Sequence, residues 1–248
     1  MRRLAVALLS VSLVIGGTAA AQTPESTAAA AAAVAHPERP DADRARDAAR
    51  KPAEIVAFAG VKPGDVVAEF LPGGGYYTRV ISRTVGPNGH VYAMVPAGFA
   101  QRPGGLDALN ALAAELGNVT VVATDLTNFT LERPVDLAWT TENYHDMHNG
   151  PTPSFARVNA AVFRALKPGG LYFVEDHAAL DGAAPTVTQE LHRIDPGQAI
   201  REVTAAGFAL DAQSDLLKNP DDPKNVGVRD PSVQGETEKF ALRFRKPG

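Results

Sequence analysis

The chain of 248 residues contains no cysteine. Disulfides and thiolate metal sites are thereby excluded, and the fold must be held by its apolar core alone. A surplus of positive charge is also missing. Only 24 Lys and Arg stand against 28 Asp and Glu, with both signs interspersed, so the electrostatic footprint of a nucleic-acid binder is absent. No apolar run approaches the roughly 20 residues that a membrane-spanning helix needs. The longest lies at the start, from Leu4 to Ile15.

That first run follows Met1-Arg2-Arg3 and precedes a Gly16-Gly17 break and Ala19-Ala20-Ala21. A short basic segment, a dozen apolar residues and a small-x-small triplet predict a secretory leader, residues 1–21, cleaved before Gln22. The product would be exported, periplasmic or secreted, and free of the membrane. Residues 22–46 are rich in alanine and proline. With nothing large and apolar to bury, they are expected to form a mobile spacer. Residues 47–248 suffice for a single domain.

From Pro52 onward, strand and helix patterns alternate. Val66–Leu71 is a short, almost wholly apolar strand of the kind buried on both faces of a parallel sheet, and His90–Val95, Val119–Ala123, Val135–Thr140 and Leu171–Glu175 read as the next four strands. Between them, Tyr76–Val85 and Leu106–Leu116 read as helices, and Phe155, Val158, Val162, Phe163 and Leu166 mark one face of another. Pro196–Ala206 is a further helix, with Asp195 as its N-cap. Phe208–Asp211 begins a sixth strand and Phe240–Phe244 forms the last. Connections too long for hairpins demand a mainly parallel sheet with helices on both faces. The stretch from Lys218 to Glu238 carries no periodic signal, and a segment of that kind is usually functional or mobile.

In such a sheet, ligands bind beyond the carboxyl ends of the strands. After the first strand comes Glu69-Phe70-Leu71-Pro72-Gly73-Gly74-Gly75. Its glycines let backbone approach a ligand closely, and the helix that follows offers unpaired N–H groups. The segment Val66–Gly75 resembles motif I of class I S-adenosylmethionine-dependent methyltransferases, an acid followed by alternating glycines. Glu69 matches the acid, and Gly73 and Gly75 the second and third glycines. The turn phrases Val61-Lys62-Pro63-Gly64, Gly86-Pro87-Asn88-Gly89 and Leu166-Lys167-Pro168-Gly169-Gly170 are typical of the same family, and the likeness extends to its exported members of unassigned substrate. It implies a Rossmann-like three-layer sandwich, a mainly parallel seven-stranded sheet with the last strand antiparallel, and S-adenosyl-L-methionine as cofactor. It assigns Glu69, Leu71, Gly73, Gly74 and Gly75 to cofactor binding, with Asp125 on the adenine amino group and Leu126 beside it. Two positions depart from the pattern. Leu71 stands where the first glycine belongs, and Tyr92-Ala93-Met94-Val95-Pro96 offers no acid for the ribose hydroxyls, which leaves Met94 to pack against the adenine.

After the fourth strand, Thr140 to Asn149 (TTENYHDMHN) is the most chemically dense run in the chain. In the family this loop borders the transferred methyl group, which makes Tyr144, His145 and Asp146 the catalytic candidates. His145 would serve as general base, with Asp146 or Glu142 fixing its tautomer. His145, Asp146 and His148 are also suitable metal ligands, but adjacent ligands in a loop are a weak signal and no metal is assigned. A plain polar loop explains the run as well. Glu175-Asp176-His177 falls on the same rim, where it reaches the substrate pocket or caps the next segment, and Arg46, Asp47, Arg50 and Lys51 form a solvated charged face, the commoner case, or a lid over the cofactor. The expected function is methyl transfer to a small molecule, the alternative an exported non-catalytic binding module that keeps the fold.

Overall fold

The computed structural model describes residues 24–149 and 154–248. The expected leader and its cleavage site lie outside the described residues. The elements in chain order are α1 (Pro24–Val34), α2 (Asp41–Arg44), α3 (Asp47–Arg50), α4 (Pro52–Ala59), β1 (Val66–Phe70), α5 (Tyr76–Val85), β2 (His90–Pro96) and α6 (Asp107–Leu116). They continue with β3 (Val119–Thr124), β4 (Val135–Thr141), α7 (Phe155–Ala165), β5 (Leu166–His177), α8 (Val187–Glu190), α9 (Pro196–Ala205), β6 (Ala209–Ser214) and β7 (Lys239–Arg245). No described helix is long and apolar enough to cross a membrane.

The seven strands form one sheet in the order β3-β2-β1-β4-β5-β7-β6. β1 to β5 run parallel, and β7 pairs antiparallel with both β5 and β6. This is an α/β, Rossmann-like fold, a mainly parallel seven-stranded sheet with the last strand antiparallel, as expected from the alternating pattern and from the resemblance of the glycine motif. Side chains alternate across the sheet. Val66, Ala68 and Phe70 of β1 join Val158 and Val162 of α7 and Ala199 and Val203 of α9 in one apolar cluster. Val67 faces the other side, with Ile55, Val80, Ile81, Trp139 and Phe173. The order reverses between β1 and β4, which opens a crevice at their carboxyl ends.

Three sequence expectations change. Pro24–Val34 is no mobile spacer. It is a helix packed on α4 and α5, with Ala30 fully buried and Ala33 and Ser26 nearly so. Alanine needs no bulky partner here because its small side chain lets helices approach closely. The following turn is anchored by Arg39, buried and bidentate to Asp47 at 2.7 Å for both bonds, with Tyr76 Oη donating to Asp47 at 2.6 Å. The folded unit therefore begins well before Asp47.

The Lys218–Glu238 stretch is ordered without regular structure. Asp222 is its hub, accepting from both terminal nitrogens of Arg193 (2.8 and 3.0 Å) and from the backbone N–H groups of Lys224 and Glu238. Lys167-Pro168-Gly169-Gly170 also lies inside β5 rather than before it. Proline biases its predecessor toward extended backbone, and the register shift between Val135 and Leu137 absorbs the irregularity.

Candidate functional site

A cleft of about 490 Å³ opens at the reversal point, between the loops after β1 and β4, the α2–α3 segment and the start of α6. Its floor is the loop after β1. Gly73 and Gly75 take left-handed backbone (φ 56° and 81°), but their roles differ. A Cβ on Gly75 would meet Leu112 at 2.2 Å, so this glycine admits α6. A Cβ on Gly73 or Gly74 would meet nothing within 4 Å, and both line the cleft. Leu71, in the first glycine position, keeps the left-handed conformation a glycine would adopt (φ 54°). The surroundings enforce it. Leu71 N–H donates to the Met94 carbonyl at 2.9 Å, and Asn143 Nδ2 donates to the Phe70 and Thr141 carbonyls at 3.2 and 2.8 Å. A non-glycine residue held this way costs about 1–3 kcal/mol and is typical of functional sites.

Glu69 follows from register. Placed opposite Ala93 and Trp139, it faces α5, where its Oε2 accepts from Thr78 Oγ1 at 2.6 Å. Only 2 % exposed, it has its pKa raised to about 7 by burial, with Thr78 and Arg79 opposing. Glu69 is thus a buried acid at the cleft wall without a full charge partner.

The charged run before α4 divides between cleft and scaffold. Arg46 and Arg50 line the cleft, with Arg50 paired to Glu142. Asp47 and Lys51 are spent on structure, Lys51 Nζ donating to the Leu216 carbonyl at 2.6 Å. Asp43, which sequence reading passed over, also lines the cleft. Its Oδ2 accepts from Arg79 Nη1 at 3.1 Å, and Arg79 reaches on to the Gly74 carbonyl at 3.0 Å. A second cavity of about 530 Å³ shares Arg46, Arg50 and Glu142 with the first and extends to His177, Arg229 and Lys239. Glu175 is fully buried, and its Oε2 lies 3.5 Å from Tyr77 Oη. Burial and the neighbouring Glu142 raise its pKa to about 8.

Three residues assigned to the cofactor stand apart from the cleft. Met94 is wholly buried in the cluster under α7 and α9, because its place in β2 turns it away from the ligand side, and Val95 lines the cleft instead. Asp125 is exposed and closes its own turn, accepting from Thr127 N–H at 2.9 Å and Oγ1 at 2.8 Å. Leu126 packs on the core.

The dense loop after β4 divides likewise. Tyr144 is buried, its Oη hydrogen-bonded to Asn159 and Glu202 at 2.8 and 3.1 Å, so it braces the loop from below and does not face the cleft. His148 binds Glu202 at 2.9 Å and stacks on Phe155. Asp146 does line the cleft. His145 sits just behind it, 3 % exposed, and its Nδ1 meets both oxygens of Asp176 at 2.9 and 3.0 Å. Asp176, rather than Asp146 or Glu142, therefore fixes the tautomer. Burial opposes the imidazolium, but the Asp176 carboxylate outweighs it and lifts the His145 pKa above its ordinary value. On the far side, His145 Nε2 meets His192 Nδ1 and Asp146 Oδ1, each at 3.3 Å. No local pattern in the sequence pairs His192 with His145.

No protein-family model matches the chain, and no curated protein does. Solved structures do. A SAM-dependent methyltransferase from Aquifex aeolicus is 17% identical, with a TM-score of 0.56 over 81% of this chain and 97% of that one. An S-adenosylmethionine-dependent methyltransferase from Mesorhizobium loti is 15% identical, with a TM-score of 0.57 over 81% and 100%. The 4+2 cyclase SpnF is 18% identical, with a TM-score of 0.57 over 83% and 81%. At these identities the likeness establishes the fold, and a fold shared with a cyclase does not by itself fix the reaction.

Proposed function

We propose that this chain is an S-adenosylmethionine-dependent methyltransferase acting on a small molecule. The observation that carries the reading is the bare backbone at Gly73 and Gly74, open to a cleft that also exposes a buried, weakly partnered acid, Glu69. These groups fit the cofactor's chemistry. Its ammonium and sulfonium are cationic, and a carboxyl with a pKa of about 7 ionises readily when a cation arrives. Gly73 and Gly74 would let its chain lie against backbone. Asp43 is the cleft carboxylate nearest in role to the acid missing after β2, as a partner for hydroxyl groups.

The cofactor supplies an electrophilic methyl group, and the protein's task is to hold a nucleophile in line with it. The adjoining cavity behind Arg46, Arg50 and Glu142 would take the acceptor. Both volumes fall within the roughly 300–1,000 Å³ usual for small-molecule sites. In this reading the enzyme works outside the cytoplasm after losing residues 1–21, as the leader pattern suggests.

Calorimetric titration with S-adenosylmethionine and S-adenosylhomocysteine tests the reading, and absence of heat at millimolar ligand overturns it. Gly74→Val places a side chain in open cleft. It should weaken binding at least ~10-fold, about 1.4 kcal/mol, with the thermal midpoint unchanged.

A further inference from the structure

We propose that His145, His192 and Asp146 form a three-ligand site for a divalent ion of the zinc class. Their ligand atoms make a triangle. His145 Nε2 lies 3.3 Å from His192 Nδ1 and 3.3 Å from Asp146 Oδ1, and the third edge is 3.8 Å. Zinc with bonds of about 2.0–2.1 Å to nitrogen and oxygen requires tetrahedral edges of about 3.3–3.4 Å. An octahedral ion at similar distance would require about 2.9 Å. The observed triangle is tetrahedral in scale and slightly open on one side.

The surrounding bonds prepare these atoms as ligands. Asp176, fully buried, accepts hydrogen bonds from His145 Nδ1–H and from the His145 backbone N–H, the latter at 2.7 Å. That fixes the ring and aims the Nε2 lone pair outward, the carboxylate–histidine arrangement common behind metal ligands. Asn149 Nδ2 donates to Asp146 Oδ1 at 3.1 Å. His192 is held with left-handed backbone (φ 53°). Its neighbour Arg193 is wholly buried and bound to Asp222 and to the Ala178 and Val226 carbonyls. A proton on Nε2 can satisfy only one of the two acceptors facing it, whereas a cation satisfies all three lone pairs at once.

His148 and His177 are not members, since Glu202 and Thr237 hold their rings. Three ligands leave a coordination position open. The Asp146 side chain is half exposed and also lines the cleft, so the open position belongs to an accessible site rather than a closed structural one. The site stands whether or not S-adenosylmethionine binds.

The test uses untagged full-length protein stripped with a chelator, titrated with zinc chloride in a calorimeter and with cobalt(II) by visible absorption. One equivalent should bind, with the intense bands of low-symmetry cobalt. His192→Ala should abolish both signals while leaving the thermal midpoint of the metal-free protein in place. Asp176→Asn should weaken zinc about 10–100-fold. Absence of stoichiometric binding overturns the proposal, as does undiminished binding in His192→Ala. S-adenosylmethionine titrated into metal-free protein separates this outcome from failure of the methyltransferase reading.

Discussion

The loop after β1 and the loops after β4 and β5 share one rim, yet they offer a ligand different things. At Gly73-Gly74 the offer is backbone, with open space where side chains would stand. At His145, Asp146 and His192 it is side chains, interlocked and braced from behind by Asp176 and Arg193. The first region can be described by a motif because its neighbours in space are neighbours in sequence. The second is assembled from 47 residues of separation between His145 and His192, so no short pattern contains it.

The largest test strikes the bracing of the histidine side. Asp222→Ala would leave Arg193 buried without its partner and should cost about 3–5 kcal/mol in urea unfolding, the usual penalty for breaking a buried pair. A loss below about 1 kcal/mol would mean that the segment carrying His192 is not anchored as described.

The second test strikes the glycine side. Glu69 keeps its proton in the folded protein up to about pH 7, against an ordinary value of 4.5. The unfolded chain therefore releases its proton first as pH rises, and stability falls between about pH 4.5 and 7. Glu69→Gln removes that penalty. It should stabilise the ligand-free protein by on the order of 3 kcal/mol at pH 8, with little change at pH 4, while weakening S-adenosylmethionine. Equal effects at the two pH values would contradict the assignment of a raised pKa to Glu69.

The smallest effect is expected at Leu71. Leu71→Gly relieves left-handed backbone but frees the unfolded chain, so stability should stay within about 1 kcal/mol. Cofactor affinity should rise severalfold as the side chain leaves the cleft. A fall in affinity would show that Leu71 is a ligand contact rather than an obstacle.

Much of the fold was legible because local rules and burial agree. Val66–Phe70 is apolar except for Glu69 and is buried throughout, and Asp195 caps α9 by accepting from Gly197 N–H as its position suggested. The N-terminal alanines were misread because alanine's value lies in close approach, which depends on a partner that the sequence does not display. Met94 and Asp125 stand apart from the cleft for a related reason. A residue's place along a strand fixes its face only once the register is known, and Asp125 is spent on Thr127 in its own turn. Glu175-Asp176-His177 fell on the rim as expected, but its members separate. Asp176 turns toward His145, while Glu175 meets Tyr77 on the opposite face of β5.

The amino-acid sequence by itself determined the order of strands and helices, the parallel sheet and the glycine loop at its switch point. Those features follow from periodicity, turn chemistry and short-range sterics, all of which act between residues a few positions apart. Tertiary structure alone decided which polar groups meet: Asp43 at the cleft, Asp176 behind His145, and His192 before it. Such meetings depend on burial and register across the sheet. There the desolvation of a carboxylate or an imidazole makes an unpaired partner costly, and the choice of partner belongs to the whole fold.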